Sequence, residues 1–553
     1  MMHRLLSLFD FARASRHYAQ GHWKADTFYA RLLFWVEQQP GAWAVRDGAR
    51  RLTYAQLLAW TDALADGLAA RGVRPGERVA VWQPSRVESV VALLACSRMD
   101  YVCVPSLHRD STTGDVLALL ERCGAVALIG ERGWGADSAR RDIFTELGSV
   151  GSIRCAFPLT PLADIALGQA EQHEGIPAAR RSERAYSTTP DRVFYLAFTS
   201  GTTGQPKGVM HSDNTLLSNG RVIARDWQLD TSAVIYTLSP MSHNMGTVSL
   251  AIALACGGEL VLHGPLDQKR MLDRIIETGA TYLIGVPTHA IDLLTELRRR
   301  DATSLGAVRA FQLAGSAIPQ QLAEFLLDLG VVPQNTYGMT ENCSFLYTRR
   351  DDPTSVIVET CGRCADGMEI ALWDHDDADR PAPAGAVGEV GVCGASQMLG
   401  YFDDQATTER SLNRDGWFMT GDLARQVGEN FEIVGRKKDL IIRGGHNIHP
   451  AKVEDLAMRH AGVLKAAAFP VPDERLGERM CLAVIAHADT APTGDEILAH
   501  LHRLELSRYE MPEYFLCVET FPLTASGKIL KRELARMVAS GEIHATPIRW
   551  SGP

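Results

Sequence analysis

Between Phe198 and His211 the chain reads FTSGTTGQPKGVMH. Glycine lets successive backbone N–H groups turn toward one anion, and neighbouring hydroxyls add donors. Thr199, Ser200, Gly201, Thr202, Thr203 and Gly204 therefore have the makings of a polyphosphate cradle, with Lys207 as a mobile positive charge. A loop of the G-x-x-x-x-G-K-[ST] kind needs a hydroxyl directly after its lysine, where a helix begins. Gly208 follows Lys207 here, so that reading fails. An ordinary surface turn rich in glycine and threonine has the same composition. Taken alone, the stretch leaves both readings open.

Five more segments carry residues suited to nucleotide chemistry. They are NTYGMTE at 335–341, GEVGVCG at 388–394, GWFMTGDLA at 416–424, GRKKDLIIRGGHNIHPAKVE at 435–454 and PLTASGKILKREL at 522–534. With the first stretch they resemble, in order and along most of the chain, the motifs of the adenylate-forming superfamily. That superfamily includes acyl-CoA and aryl-CoA ligases, luciferases and the adenylation domains of peptide synthetases. The resemblance implies that ATP converts a carboxylate, a poor electrophile, into an acyl-adenylate with AMP as leaving group, and that CoA then takes the acyl group.

Site roles follow from the same resemblance. Ala314, Gly315 and Ser316 with Asn335, Thr336, Tyr337 and Gly338 would form the adenine slot, Tyr337 stacking on the base. Asp422 would accept the ribose hydroxyls and Arg436 would add a donor, since one carboxylate can receive two O–H groups at once. Thr340 would contact the α-phosphate, and Glu341 would help to hold Mg²⁺, an ion that prefers oxygen ligands. Lys528 would bridge the carboxylate and the α-phosphate as charge grows there. Lys438 would be a hinge about which a small domain turns, withdrawing Lys528 and bringing in Arg443, Gly444 and Gly445 to line a pantetheine path. Each residue also has a plainer reading. Asp422 suits a turn, Glu341 a helix N-terminus, Lys528 a solvated surface, and Gly444–Gly445 a hairpin.

The acid itself is less sharply specified. His243 and Asn244, in SPMSHNMG, stand where members of the superfamily line the acyl pocket, and Gly315, Gly338 and Met339 would complete it. The His-Asn pair and LYTRRDDPTSVIVETCG resemble 2,3-dihydroxybenzoate-activating enzymes, whereas GRKKDLIIRGGHNIHPAKVED and PDERLGERMC resemble ligases for short-chain or alicyclic acids. The latter motifs lead us to expect nonhydroxylated acids. The leading expectation is an AMP-forming carboxylic acid:CoA ligase using ATP, Mg²⁺ and CoA. The alternative is an aryl-acid AMP ligase that serves a separate carrier protein. A fused carrier is not expected, because only 25 residues follow Lys528. Oligomeric state is left open.

Such residues need a scaffold to converge on. The 553 residues are 46% hydrophobic and 22% charged, a mixture suited to several folded cores. Helical periods alternate with short apolar runs, as in YAQLLAWTDALADGLAARG, ERVAVWQ, SVVALLACSRM and YVCVP, which is the rhythm of parallel α/β units. LIGVPT, AVRAFQLAG and VVPQNTYG continue it, each ending where a strand would deliver a loop to a site. VSLAIALACGGELVLHG reads as a buried helix followed by a strand. From Gly388 short strands and tight turns predict a β-rich part, and beyond Gly445 a small α+β segment follows. The expected division is an AMP- and acid-binding domain over 1–434, a hinge over 435–439 and a lid domain over 440–553.

A net charge of −10 gives no general attraction to nucleic acid or anionic membrane. Eleven scattered cysteines suggest reduced thiols and a cytoplasmic protein. The first residues lack the pattern of a targeting peptide, and no apolar run approaches the ~18 residues of a membrane span. Cys361-Gly-Arg-Cys364 has the spacing of half a zinc knuckle but no matching second half nearby, and HDDADR at 375–380 reads as a solvated turn.

Overall fold

Apolar runs bounded by glycine or proline suit strands that are covered on both faces. In the computed structural model, which describes residues 6–550 apart from 49, 166–181, 200–205, 266, 268–269, 316–317, 444–445, 488–489 and 524–528, these runs build two largely parallel sheets. The first has six strands in the order Cys155–Leu159, Ala125–Glu131, Arg78–Trp82, Val102–Val104, Val193–Thr199 and Lys207–Ser212. Its last strand turns back antiparallel on Val193–Thr199, so the glycine- and threonine-rich stretch joins two paired strands. The second sheet has nine. Tyr282–Gly285, Ala310–Ala314 and Val332–Met339 lie side by side and parallel within it, and Cys343–Tyr347 returns antiparallel on the last of these.

Two helices, Asp213–Asp226 and Asn244–Cys256, are buried almost all round and pack closely on each other. Gly220 permits this: a Cβ there would lie 2.5 Å from the carbonyl carbon of Ala251. Asn219 ties the first helix to the second sheet by donating to the carbonyl of Ser344 at 2.7 Å. Ser212 caps that helix, and its side chain accepts from the Thr215 N–H. Gly257, at φ +78°, ends the second helix just before the strand Glu259–Leu262.

The third sheet is antiparallel, with strands Met368–Trp373, Gly388–Gly394, Phe418–Val427 and Asn430–Arg436. Its first strand precedes the Gly388 start expected from the sequence. MEIALW is rich in good helix formers, and its strand state comes from pairing with Gly388–Gly394 rather than from local preference. The chain leaves this sheet at Arg436, passes through a 3₁₀ turn at Lys437–Asp439, and enters a fourth sheet at Ile441. That last sheet, with helices Pro450–Met458, Gly494–Arg503 and Lys531–Ala539, forms an α+β unit with its own core. Lys465 Nζ stands 3.8 Å from Asp292, and Gln321 donates to the Arg459 carbonyl at 3.4 Å, both linking this unit to the larger body.

A short N-terminal helix, Phe11–Ala19, is capped by Asp10. Its flanks fasten onto the 395–416 region: Leu8 N–H donates to Leu399 O at 2.8 Å and Trp23 Nε1 donates to Ala395 O at 2.9 Å. Arg13 donates to Gly416 O at 3.2 Å. Among the described residues no helix is long and apolar enough to cross a membrane.

Candidate active site

Parallel strands deliver their carboxyl ends, and the loops beyond them, to one edge of a sheet. The ends of Ala310–Ala314 and Val332–Met339 carry Gly315 and the Gly338–Asn342 turn. The hairpin of Val332–Met339 with Cys343–Tyr347 is closed tightly. A Cβ on Gly338 would stand 2.1 Å from Cys343 O, and Cys343 itself is left-handed at φ +55°. Met339 pairs with Cys343, and Asn342 N–H closes back on Met339 O at 3.2 Å. Glu341 thus sits in a β-turn and not at a helix N-terminus.

Three contacts hold that turn. Met398 N–H donates to Glu341 O at 2.7 Å, and Tyr401 O–H donates to Glu341 Oε1 at 2.8 Å. His211 Nε2 lies 2.6 Å from Thr340 O. Glu341 Oε2 accepts no hydrogen bond from a described residue. The same Tyr401 ring lies under Lys207, whose Nζ is 5.0 Å from its centroid. Burial, then the Glu341 carboxylate, keeps the Tyr401 phenol protonated. The strand Lys207–Ser212 also pairs with the segment that bears Tyr401: Phe402 N–H donates to Gly208 O at 2.7 Å and Leu399 N–H to Met210 O at 2.8 Å. Thr199 and Lys207, the two ends of the expected phosphate loop, are therefore joined to Glu341 through one tyrosine and one strand. Ser200, Gly201, Thr202, Thr203 and Gly204 lie outside the described residues.

A second group forms around Asp422, which is only 4% exposed. Tyr337 O–H donates to Oδ2 at 2.6 Å and Arg436 Nε to Oδ1 at 3.0 Å, the two strands placing Asp422 opposite Arg436. Each carboxylate oxygen keeps a lone pair for another donor. Burial first, and then the Asp422 charge, holds the Tyr337 phenol well above its ordinary pKa. Its ring packs edge-on against Phe345, with centroids 5.2 Å apart. Glu389 steadies the Asp422 turn from below, accepting from Gly421 N–H at 3.2 Å and from Lys437 Nζ at 3.3 Å. Asn335 and Thr336 turn their side chains to the protein, Asn335 donating to Thr360 O at 2.7 Å and Thr336 to Gln334 O at 3.2 Å. At the neighbouring strand end Gly315 has φ +94°, and Ser316 lies outside the described residues.

His243 caps the helix Asn244–Cys256 by accepting from Met245 N–H at 3.3 Å. Asn244 is the first residue of that helix rather than a loop residue before it. It is 5% exposed, donates weakly to Cys343 Sγ at 3.7 Å, and its Oδ1 has no hydrogen-bond partner among the described residues. The Cys343 contact brings Asn244 beside the Thr340–Glu341 turn. The loop before His243 is pinned by Met241 N–H to Ser85 Oγ at 3.0 Å and by Ser242 Oγ to His108 Nδ1 at 2.9 Å.

Lys438 stands in the 3₁₀ turn, where partial desolvation and then the neighbouring Arg436 charge lower its pKa. Gly444, Gly445 and Lys528 lie outside the described residues. The thiols of Cys361 and Cys364 face different partners, Asn335 Oδ1 at 3.8 Å and Met368 O at 3.2 Å. Tyr401, His211 and Glu389 carry contacts of the site that the sequence reading did not assign. Of these, His211 lay inside the first stretch examined, but nothing local announces its partner.

Comparison with known proteins gives the same outline. The pattern described as AMP-binding enzyme matches residues 33–402, and that described as AMP-binding enzyme C-terminal domain matches 452–528. The chain is 30% identical over 527 residues to the medium-chain fatty-acid–CoA ligase of Escherichia coli K12, covering 95% of this chain and 92% of the relative. It is 30% identical over 536 residues to a salicylyl-CoA synthase/salicylate adenylyltransferase of Streptomyces, covering 95% and 96%. The ATP-bound structure of MatB from Rhodopseudomonas palustris superposes with a TM-score of 0.80 at 25% identity, covering 93% of this chain and 98% of that one.

Proposed function

The chain belongs to the family of AMP-binding enzymes and is an AMP-forming carboxylic acid:CoA ligase; from that premise we propose how its residues divide the work and which acids it takes. The reaction activates a carboxylic acid with ATP to an acyl-adenylate and passes the acyl group to CoA. Asp422 and Arg436 bind the ribose, with Tyr337 packed on the base. Thr199–Gly204 and Lys207 wrap the phosphates, while Thr340 donates to the α-phosphate. Magnesium, when bound, neutralises phosphate charge, and Glu341 Oε2 is the oxygen that would hold it. Lys528 stabilises the charge that grows between the carboxylate and the α-phosphate.

The division of the chain at 435–439 is also part of this reading. Arg436 is tied to Asp422 and Lys437 to Glu389, both on the large body. Lys438 is the first residue beyond those anchors, which supports it as the pivot. Rotation there replaces Lys528 with the Arg443–Gly445 loop for thioester formation. All eleven cysteines are free thiols, in keeping with a reducing compartment such as the cytoplasm.

For the acid, one observation carries the proposal: Asn244 Oδ1 is buried and finds no donor among the described residues, beside the turn where the carboxylate must react. A buried acceptor left unpaired costs about 1–3 kcal/mol, which a ligand hydroxyl would recover. We therefore favour a hydroxylated aryl acid, against the expectation drawn from the lid motifs. One relative is named for salicylate and another for medium-chain fatty acids, so the names alone do not choose. Benzoate, 2-hydroxybenzoate, cyclohexanecarboxylate and hexanoate, each assayed with ATP and either CoA or a carrier protein, provide the test. A CoA thioester formed best from 2-hydroxybenzoate supports the proposal, and a preference for hexanoate or cyclohexanecarboxylate overturns it. Carrier acylation without CoA acylation would move the chain to the alternative acceptor.

A further inference from the structure

His211 is fully buried four residues beyond Lys207 on the same strand. Its two ring nitrogens bridge different parts of the body, with Nδ1 3.0 Å from Thr215 Oγ1 and Nε2 2.6 Å from Thr340 O. A carbonyl oxygen can only accept, so Nε2 carries the hydrogen. Burial pushes the imidazole pKa down to about 4, which leaves it neutral near pH 7, its bare Nδ1 sharing the Thr215 hydroxyl hydrogen with Ser212 O, 3.0 Å from Thr215 Oγ1.

The next carbonyl, that of Glu341, is held by Met398 N–H, and the Glu341 carboxylate by Tyr401. Both clamps lie on the 398–402 segment, which pairs with the same strand, Lys207–Ser212. Two consecutive carbonyls of the Thr340–Glu341 turn thus refer back to one strand, and only the first does so directly, through an imidazole.

We infer that His211 is a positioning residue for adenylation: its Nε2–H fixes the Thr340 carbonyl, and with it the distance from the phosphate loop to the Thr340–Glu341 turn. The inference rests on the role proposed for that turn. His211 meets no reacting atom and exchanges no proton during turnover. It sets where the Thr340 hydroxyl and the Glu341 carboxylate stand relative to Lys207. A positioning contact of this kind shows in kcat more than in substrate KM, because the loss is felt where charge develops.

The test compares His211→Leu, which keeps bulk without a donor, with His211→Gln, whose side-chain amide N–H can reach toward the Thr340 carbonyl. The readouts are acid-dependent pyrophosphate exchange and backbone hydrogen exchange of the 337–347 peptide without ligands. His211→Leu should lower exchange kcat by at least ~10-fold with the acid KM within ~2-fold, and should speed hydrogen exchange at 339–343. His211→Gln should recover kcat to within ~3-fold of the parent and restore protection. Equal impairment of both variants would reduce His211 to packing and overturn the inference, as would a His211→Leu protein with parental kcat and protection. Should His211→Leu fail to fold, His211→Phe, a ring of similar shape without a donor, takes its place: a lowered kcat supports the inference and an unchanged one refutes it. Glu341→Gln separates the two levels. If it leaves exchange intact, the role of the turn is wrong; if it abolishes exchange while His211→Leu does not, only the positioning is wrong.

Discussion

Replacing Asp422 by Asn changes two heavy-atom contacts in opposite senses, which makes its effect calculable. The carboxylate takes Arg436 on Oδ1 and Tyr337 on Oδ2, and each oxygen retains one site for a ribose hydroxyl. An amide offers acceptor sites on one atom only. Its NH₂ must therefore face either the Arg436 guanidinium or the Tyr337 hydroxyl, and at least one ribose hydroxyl loses its acceptor. A hydrogen bond to a charged group is worth about 1.5–3 kcal/mol, so ATP KM should rise by roughly 10- to 150-fold. The Arg436 side chain is 47% exposed, so screening by solvent leaves the ion pair itself little weight in folding. The loss should fall mainly on nucleotide binding, with at most about 1 kcal/mol of fold destabilisation, since the phenol oxygen can accept from the amide NH₂. ATP-dependent pyrophosphate exchange and calorimetric AMP binding measure the two sides, with Tyr337→Phe as control. That variant keeps the carboxylate and both ribose acceptors, so its ATP KM should change less than about fivefold. A folded Asp422→Asn protein with ATP KM within about threefold of the parent would refute the assignment. So would a Tyr337→Phe protein that is equally damaged, since the phenol would then be the nucleotide contact.

Lys528→Ala should lower acid-dependent pyrophosphate exchange by about 3–4 kcal/mol, a few hundred-fold, while thioester formation from supplied acyl-adenylate stays largely intact; equal loss in both steps counts against the role. Lys438→Pro fixes φ and restricts Lys437, so thioester turnover should fall more than adenylation, and unchanged turnover would move the pivot elsewhere. Asn244→Ala should weaken hydroxylated aryl acids selectively by roughly 1–3 kcal/mol, and a uniform change across the acid panel would remove Asn244 from recognition. Stability should fall as pH drops from about 6.5 toward 4, because burial lowers the pKa of His211, His263 and His289 to about 4 and the unfolded chain takes up their protons first. Each contributes about 1.2 kcal/mol of loss at pH 5.5 relative to neutrality. Asp213, pushed up to about 6 by burial, opposes them by binding its proton in the fold. Urea midpoints at pH 7.5 and 5.5 check the net sign, and equal midpoints would mean that these histidines do not govern it.

What the sequence disclosed and what it concealed divide along the range of the interactions. Runs such as VFYLAF and the LIG of LIGVPT became strands because they are apolar on both faces and bounded by breakers, which is local information. The strand Met368–Trp373 was missed because its state depends on a neighbour some twenty residues ahead. The motif segments were legible as segments, but their mutual arrangement was not. Tyr401 meets Glu341 across 60 residues, and His211 meets Thr340 across 129. No periodicity records such pairs. Asn244 was legible as a candidate by position, but its contact with Cys343, 99 residues further on in a left-handed turn, was not.

The docking of the N-terminal segment on the 395–416 region has a consequence in the time domain of synthesis. Trp23 and its acceptor Ala395 are 372 residues apart in the chain. At about 5–20 residues per second, translation separates their emergence by roughly 20–70 s. During that interval the surface that meets Trp23, and Phe9 stacked on it with ring centroids 6.2 Å apart, does not yet exist. The helix Phe11–Ala19 and its flanking rings therefore wait for their partner surface, and until it is made those rings are open to chaperones and to other nascent chains.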